Sequence, residues 1–531
     1  MATVAEPQVD PGYRALLRGR RLFAVAFFGF FLLASGWALA TPYGGVPDEI
    51  NHAVRAAAAA RAELVGDADG VATKDGEAFL VPRGVVANNE CWRGDRKVTA
   101  DCGTGPNGAT DLVRAPTTAG RYPPAFYLAV GGPLALWPSW LGVILARLIS
   151  AAMSAALLAG AAYGVVRWTS HRLLPAGVLV ATTPVTLHLA GSINPSGVEI
   201  AAGVALFAGL VPLLLDDPPR SRGPLTLAGI AAVTLALVRP FGPLWLIIAV
   251  GVLLIPTTWR RLGRVLHARA GQIWLAGTAA ATLATVGWMA ALRTGEPGWV
   301  NLPGHLTLPH VLSIEVLQRT SGYAMEMVGI MSWVDTLLPG LSYQLWYMAF
   351  GALLAVALGV GRMVDRWRLV ALTAATFAVP ILSEALNINR YGFVAQGRYV
   401  LPIAVGLPIL AAWIIGRREG LDPRAAVGIT RVLAIVLLPV HLAGLWYTLL
   451  RWEHGIPDFP QAPPLNPFNG AWHPPLGPAL PLLLASVGVA LLFCYAWLAP
   501  ATPVDAADPA AAGEAPAGDL TGADHLPADQ V

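Results

Sequence analysis

The chain has 531 residues, of which 55% are hydrophobic and only 13% charged, and its formal net charge is +3. A soluble domain carries roughly 25% charged residues, so an ordinary water-soluble core is excluded. The small net charge, with lysine only at Lys74 and Lys97, gives no reason to expect a nucleic-acid partner.

The apolar residues fall in runs of about 20, enough for a helix to cross the roughly 30 Å hydrocarbon core. Helices are the expected spanning element, because lipid cannot satisfy exposed backbone groups. The predicted fold class is all-α, a polytopic transmembrane helix bundle.

In chain order, residues 1–21 form an N-terminal segment with Arg14, Arg18, Arg20 and Arg21, followed by the first apolar run, 22–41. Ala38-Leu39-Ala40 has the look of a signal-peptide cleavage site, but the run exceeds the 7–15 residues of such a segment. An uncleaved first helix is the expectation. A first large outer loop follows over 42–141. Its apolar stretch 123–137 is short and broken by Gly131-Gly132-Pro133, so it reads as a juxtamembrane or re-entrant helix. Further runs lie at 142–166, 173–191, 197–215, 224–240, 241–258, 271–292, 341–361, 369–386, 399–416, 426–449 and 477–499. About 12 spans are therefore predicted within a transmembrane domain at 22–499, with further large outer loops at 293–340 and 450–476. The tail 500–531, rich in Ala, Pro, Asp and Gly without aromatic residues, is expected to be disordered.

Arginine bias in short loops sets the orientation. Arg167/Arg172, Arg220/Arg222, Arg260/Arg261/Arg264/Arg269, Arg362/Arg366/Arg368 and Arg417/Arg418/Arg424 cluster in alternate loops, which are assigned to the cytoplasm with both termini. Outside the first loop, the opposite loops hold only isolated arginines such as Arg293, Arg319, Arg390 and Arg451. Counting 123–137 as a span would break this alternation.

Cys91 and Cys102 share the first outer loop, and on an oxidising side they are expected to form a disulfide. A metal site, the rival reading, finds no His or further Cys nearby to complete tetrahedral ligation.

The first loop opens on Pro47-Asp48-Glu49-Ile50-Asn51-His52. Pro47 followed by two acids reads as a helix start with Asp48 as N-cap. Spacings of three and four put Asp48, His52 and Arg55 on one side of that helix. The arrangement fits either an ordinary capped helix or a site of carboxylates, imidazole and guanidinium just outside the membrane. Arg121-Tyr122-Pro123-Pro124-Ala125-Phe126-Tyr127 closes the same loop, and Gln396-Gly397-Arg398-Tyr399 begins a later span. An arginine at such a boundary either snorkels or grips a phosphate with two hydrogen bonds. Arg147 and Arg239 lie within apolar runs, where a charge is usually paired or functional.

These motifs carry a family resemblance. Pro47-Asp48-Glu49-Ile50-Asn51-His52 resembles the Pro-Asp-Glu-x-x-His signature of the DUF2142 family of predicted membrane proteins. Tyr122-Pro123-Pro124-Ala125-Phe126-Tyr127 resembles its Pro-Pro-x-x-Tyr element, and Gly191-Ser192-Ile193-Asn194-Pro195 its Asn-Pro-Asp segment. Met331-Ser332-Trp333-Val334-Asp335 and Gln396-Gly397-Arg398-Tyr399 resemble its aromatic-plus-Asp and Gln-Gly-Arg-Tyr segments. Ser196 departs from the pattern, which more often has Asp there.

DUF2142 proteins are similar in turn to the GT-C glycosyltransferases, which use polyprenyl-phosphate sugars outside the cytoplasmic membrane. The resemblance implies a GT-C-like bundle whose first outer loop carries juxtamembrane helices. It implies transfer of a sugar from a polyprenyl-phosphate donor to a cell-envelope glycan or lipid acceptor, in a bacterial-type cytoplasmic membrane. Asp48 would be the general base, and Glu49 its helper or a metal ligand. Arg398 and Arg239 would neutralise the departing phosphate, with His52, Arg55, Tyr122, Gln396 and Tyr399 in support. A divalent metal (Mg²⁺, Mn²⁺ or Zn²⁺) on Asp48, Glu49 and His52 stays open. The alternatives are a transporter or flippase of lipid-linked saccharide, and a non-catalytic scaffold for envelope assembly.

Overall fold

Proline decides where this apolar chain stops being helical. The residue before a proline is pushed out of the helical region and the proline itself lacks a donor. In the computed structural model, which describes residues 11–67, 77–86, 90–216, 222–255, 259–292, 305–418, 421–458 and 460–501, each of the twelve apolar runs forms helix. Lys74, Arg220, Arg293 and the tail from 502 lie outside the described residues, as do the side chains of Arg14, Arg18, Arg261 and Arg390.

Among the described residues, nine helices are long and apolar enough to cross a membrane. The other three runs are shorter or broken. Run 173–191 divides into Leu174–Ala181 and Pro184–Ala190, with Thr183 extended ahead of Pro184. Gly223–Val238 and Gly242–Leu254 have 16 and 13 residues, so at 1.5 Å per residue they reach about 24 and 20 Å. Both fall short of the roughly 30 Å core. Between them Arg239 is extended, at φ −146° and ψ 157°, the conformation that Pro240 imposes.

Helix Pro195–Leu215 is buried along its whole length; a helix apolar on every side belongs in the middle of a bundle. The first helix, Pro11–Ala40, packs on Trp140–Arg167 and on the last helix, Ala479–Leu498. Small residues set that approach: a Cβ on Gly488 would lie 2.7 Å from the Gly29 carbonyl oxygen. Arg269–Ala291 leaves Ile273, Leu275 and Leu283 exposed, as a lipid-facing helix does.

The stretch 123–137 folds as two short helices, Ala125–Val130 and Gly132–Leu136, neither able to cross. The first loop also holds a feature that the helical expectation did not include. Strand Glu77–Pro82 pairs antiparallel with Leu112–Thr117, in register Glu77 with Thr117, which satisfies backbone groups in a long polar segment. The expected Cys91–Cys102 disulfide is present. Arg451, fully buried, ties this loop to the bundle by donating to the carbonyls of Val98 (2.7 Å) and Trp92 (2.8 Å) and to Asp335 (3.4 Å).

The other end of the bundle has its own polar ties. Asp216 accepts from Trp413 Nε1 at 2.8 Å and contacts His171 Nε2 at 3.0 Å. Asp365 pairs with Arg368 at 2.9 Å and with Arg417. Helix Trp140–Arg167 runs from the first-loop end to this one, so among the described residues Arg167, Arg368 and Arg417 lie at the opposite end from Arg451.

Candidate active site

Four breaks in helical structure meet at the first-loop end: the start of Glu49–Ala60, the Asn194-Pro195 junction, the Arg239-Pro240 break and the start of Gly397–Ala404. Each turns a polar side chain inward.

Asp48 precedes helix Glu49–Ala60 in the left-handed conformation, at φ 65° and ψ 4°, and makes no side-chain cap. This corrects the N-cap expectation. A capping residue is normally extended, so that its side chain reaches the first free amides. Here the carboxylate goes instead to Arg398, 350 positions away, whose Nη2 donates to Oδ2 at 2.6 Å. The same nitrogen lies 3.1 Å from Tyr399 Oη, and Arg398 Nη1 approaches the Pro47 carbonyl at 3.4 Å. Asn194 Nδ2 donates to that carbonyl at 2.9 Å while its Oδ1 caps Pro195–Leu215 through Ser196 N.

Arg239 stands opposite. Its Nη1 donates to Ser196 Oγ at 3.0 Å and to Glu199 Oε2 at 3.1 Å, and its guanidinium lies 4.9 Å from the Tyr399 ring. Glu199 also accepts from Trp245 Nε1 at 3.1 Å. Where the family pattern favours Asp, this chain has Ser196, and Glu199 one turn on supplies the carboxylate that pairs Arg239.

Asp48, Asn194, Ser196, Arg239, Arg398 and Tyr399 line a cavity of about 170 Å³ with His52, Tyr122, Thr118 and Ala119. Two guanidiniums line it, Arg398 paired with Asp48 and Arg239 with Glu199, and Nε of both is buried without a partner. An anion entering it would meet both cations. Burial would raise the Asp48 carboxyl, but the Arg398 charge, its hydrogen bond and Arg239 outweigh burial and hold the group below its ordinary value. Burial, reinforced by Arg239 and Arg398 against the opposing Asp48, pushes His52 down to about 3. His52 is therefore neutral, with Nδ1 2.9 Å from Tyr127 Oη.

Other expected site residues lie elsewhere. Glu49 does not line the cavity. Its carboxylate is fully buried and gripped by Arg147, Nε to Oε1 at 2.8 Å and Nη2 to Oε2 at 2.6 Å. The Gly44 and Ile193 amides complete its shell, each at 3.1 Å. Arg147 also caps the end of the first helix through the carbonyls of Ala38, Thr41 and Pro42. Arg55 is packed beneath the cavity wall, its guanidinium 5.1 Å from the Phe79 ring and 5.6 Å from that of Tyr127. Gln396 misses the cavity but lines a smaller recess beside Arg398.

Among the described residues no group of three or more His, Cys, Asp and Glu is placed to hold a metal ion. Asp48 and His52 alone, beside two guanidiniums, do not fit a divalent cation. Sequence reasoning missed Glu199 as the partner of Arg239 and missed Asn194 as the brace of Pro47. The Asn194-Pro195 cap and a carboxylate at the outer end of an apolar run were the available signals.

A match to the family described as "Predicted membrane protein (DUF2142)" covers residues 30–407. The chain belongs to that family. The DUF2142 match takes in Asp48, Arg239 and Arg398, and helices Pro423–His454 and Ala479–Leu498 lie beyond it. Family and apolar helices together make the chain a multi-pass membrane protein. No curated protein matches it. Two solved structures show some likeness. One is ArnT from Cupriavidus metallidurans bound to undecaprenyl phosphate, at 13% identity and TM-score 0.41, covering 93% of this chain and 77% of that one. The other is the same protein in the apo state, at 14% identity and TM-score 0.38, covering 88% and 74%.

Proposed function

We propose that this protein is a membrane glycosyltransferase that moves a sugar from a polyprenyl-phosphate donor to a hydroxyl of a cell-envelope glycan or lipid, on the extracytoplasmic face. One observation carries the reading: the Asp48 carboxylate and the Arg398 guanidinium are 2.6 Å apart in a cavity that Arg239 also lines. Transfer from a lipid phosphate needs a base for the incoming hydroxyl and cations for the departing anion, at one point. Arg398 and Arg239 hold the phosphate and stabilise its charge as the bond to the sugar breaks. Asp48 takes the proton of the acceptor hydroxyl as the new bond forms. An anion arriving on Arg398 competes for the guanidinium that holds Asp48, so donor binding itself frees the carboxylate and raises its basicity. His52, neutral and fixed by Tyr127, offers a hydrogen bond without competing for the proton.

Purified protein in lipid, supplied with a radiolabelled polyprenyl-phosphate sugar, tests this reading. In Asp48→Asn the side chain keeps its size but loses its charge, and with it both its proton affinity and the ion pair to Arg398, so transfer falls by about two to four orders of magnitude. Arg398→Lys keeps the charge but not the planar fork and weakens donor use. Wild-type rates in Asp48→Asn would remove the base and return weight to the transporter or the scaffold.

A further inference from the structure

A second recess shares Arg398 as a wall with the cationic cavity, and no other residue. It is small, about 10 Å³, room for one hydroxyl or water. Its chemistry differs from its neighbour's. His188, from helix Pro184–Ala190, is 1% exposed, and neither ring nitrogen has a partner. The Gln396 Oε1 beside it is likewise buried and unpartnered. Buried polar atoms without partners are uncommon, and each calls for a reason.

The opposite wall is under strain. Ser332 and Val334 both have positive φ, 57° and 61°, and for a β-branched valine this is an outlier. The turn is pinned from outside: Trp333 Nε1 donates to the Gly44 carbonyl at 2.8 Å, and Asp335 accepts from Gly94 N at 3.2 Å and Thr336 Oγ1 at 2.7 Å. Strain of this kind persists only where surroundings enforce it, and it concentrates at ligand clamps. The conformation holds the Ser332–Val334 turn against His188, Gln396 and Pro47.

We propose that this recess is the acceptor subsite, and that it receives a hydroxyl of a saccharide or other polyol. The assignment rests on the glycosyltransferase reading above. An imidazole and a carboxamide both donate and accept, as a hydroxyl requires, whereas the cavity across Arg398 offers an anion two guanidiniums. The recess includes Pro47, and Asp48 lines the cavity, so the boundary between the two sites falls at the base. There the acceptor oxygen bonds to the sugar's anomeric carbon and its proton passes to Asp48. The carbon–oxygen bond to phosphate breaks, with its electron pair leaving on the polyprenyl phosphate held by Arg398 and Arg239.

The test is saturation-transfer NMR on the full chain in lipid nanodiscs, with methyl glycosides as probe and polyprenyl phosphate binding measured in parallel. His188→Phe keeps the aromatic edge against Trp37, 4.6 Å away in the native protein, but has no nitrogen. Gln396→Met keeps the length without the amide. Each variant is expected to weaken glycoside binding about threefold to tenfold, the value of a lost hydrogen bond, with polyprenyl phosphate affinity unchanged. Absence of glycoside binding in the wild type, or equal binding in both variants, would leave the recess to water and overturn the proposal. A parallel loss of polyprenyl phosphate affinity would overturn it too, by making His188 and Gln396 props for Arg398. Glycoside binding lost in the variants, in a protein with no affinity for polyprenyl phosphate, would retain the subsite and refute the donor instead.

Discussion

Two adjacent carboxylates at the head of one helix have opposite fates. Asp48, left-handed and partly open, faces a cavity, and Glu49 is sealed in a bidentate pair with Arg147. The pair is structural, and its loss leaves the Arg147 charge buried. Glu49→Ala is expected to cost about 3–5 kcal/mol of stability, read as a lowered thermal midpoint. Glu49→Leu combined with Arg147→Met should recover much of it, because a well-packed apolar pair removes both desolvated charges. If Glu49→Ala were as stable as the wild type, the pair would hold nothing together. His52 gives a pH dependence. The unfolded imidazole takes a proton below 6.5, and the folded one is held neutral down to about 3. The unfolded state therefore binds more protons in that window, and stability falls as pH drops through it, by about 1.4 kcal/mol per unit. The depressed Asp48 acts mainly below its unfolded value of 3.8, so the two windows overlap only at their acid end, below the range tested. Denaturation midpoints between pH 6.5 and 4 should slope less in His52→Gln, and an unchanged slope would show that His52 is not the group.

At the scale of elements, the site is made of places where helices fail. Pro240 ends Gly223–Val238 and extends Arg239, and Pro195 does the same for Asn194. Gln396, extended at φ −135°, is followed by Gly397, whose amide is accepted by Glu326, and Glu384 accepts the amides of Val394 and Ala395. Those contacts fix where Arg398 begins its helix. Pro240→Ala removes the constraint on Arg239 and restores a donor, so the two short helices can join and carry the guanidinium away. Polyprenyl phosphate affinity is expected to fall about tenfold, equivalent to 1.4 kcal/mol, with overall stability little changed. Unaltered affinity in Pro240→Ala would mean that Glu199 and Ser196 alone place Arg239.

For the whole molecule, the arginine-rich connections and the cavity occupy opposite ends of the bundle, so sidedness becomes one question. The cationic rule puts the cavity outside and both termini in the cytoplasm. Single cysteines near residue 10, near residue 510 and at the exposed Thr118 of the first loop, in a background lacking Cys494, report this with an impermeant thiol reagent on intact cells. Only the Thr118 position should react. Labelling near residue 510 from outside would mean an odd number of crossings, and the two short helices at 223–254 would be the first to reconsider.

Apolar run length foretold a helical bundle and that 123–137 would not form a full crossing helix, because membrane thickness acts on local sequence; it did not foretell that three of the twelve runs would be short or broken. Shared loop position and an oxidising side likewise foretold Cys91–Cys102. Asp48, Arg239 and Arg398 were legible as unusual polar groups at the ends of apolar runs. Their convergence was not, since no local pattern relates positions 350 residues apart. Nor could the sequence tell Asp48 from Glu49. Both are acids beside the same proline, and a single left-handed backbone conformation, enforced by contacts from distant helices, sends one carboxylate to the cavity and leaves the other to Arg147. That choice belongs to the tertiary structure, because burial and partner geometry decide what a carboxylate does, and both are set by packing.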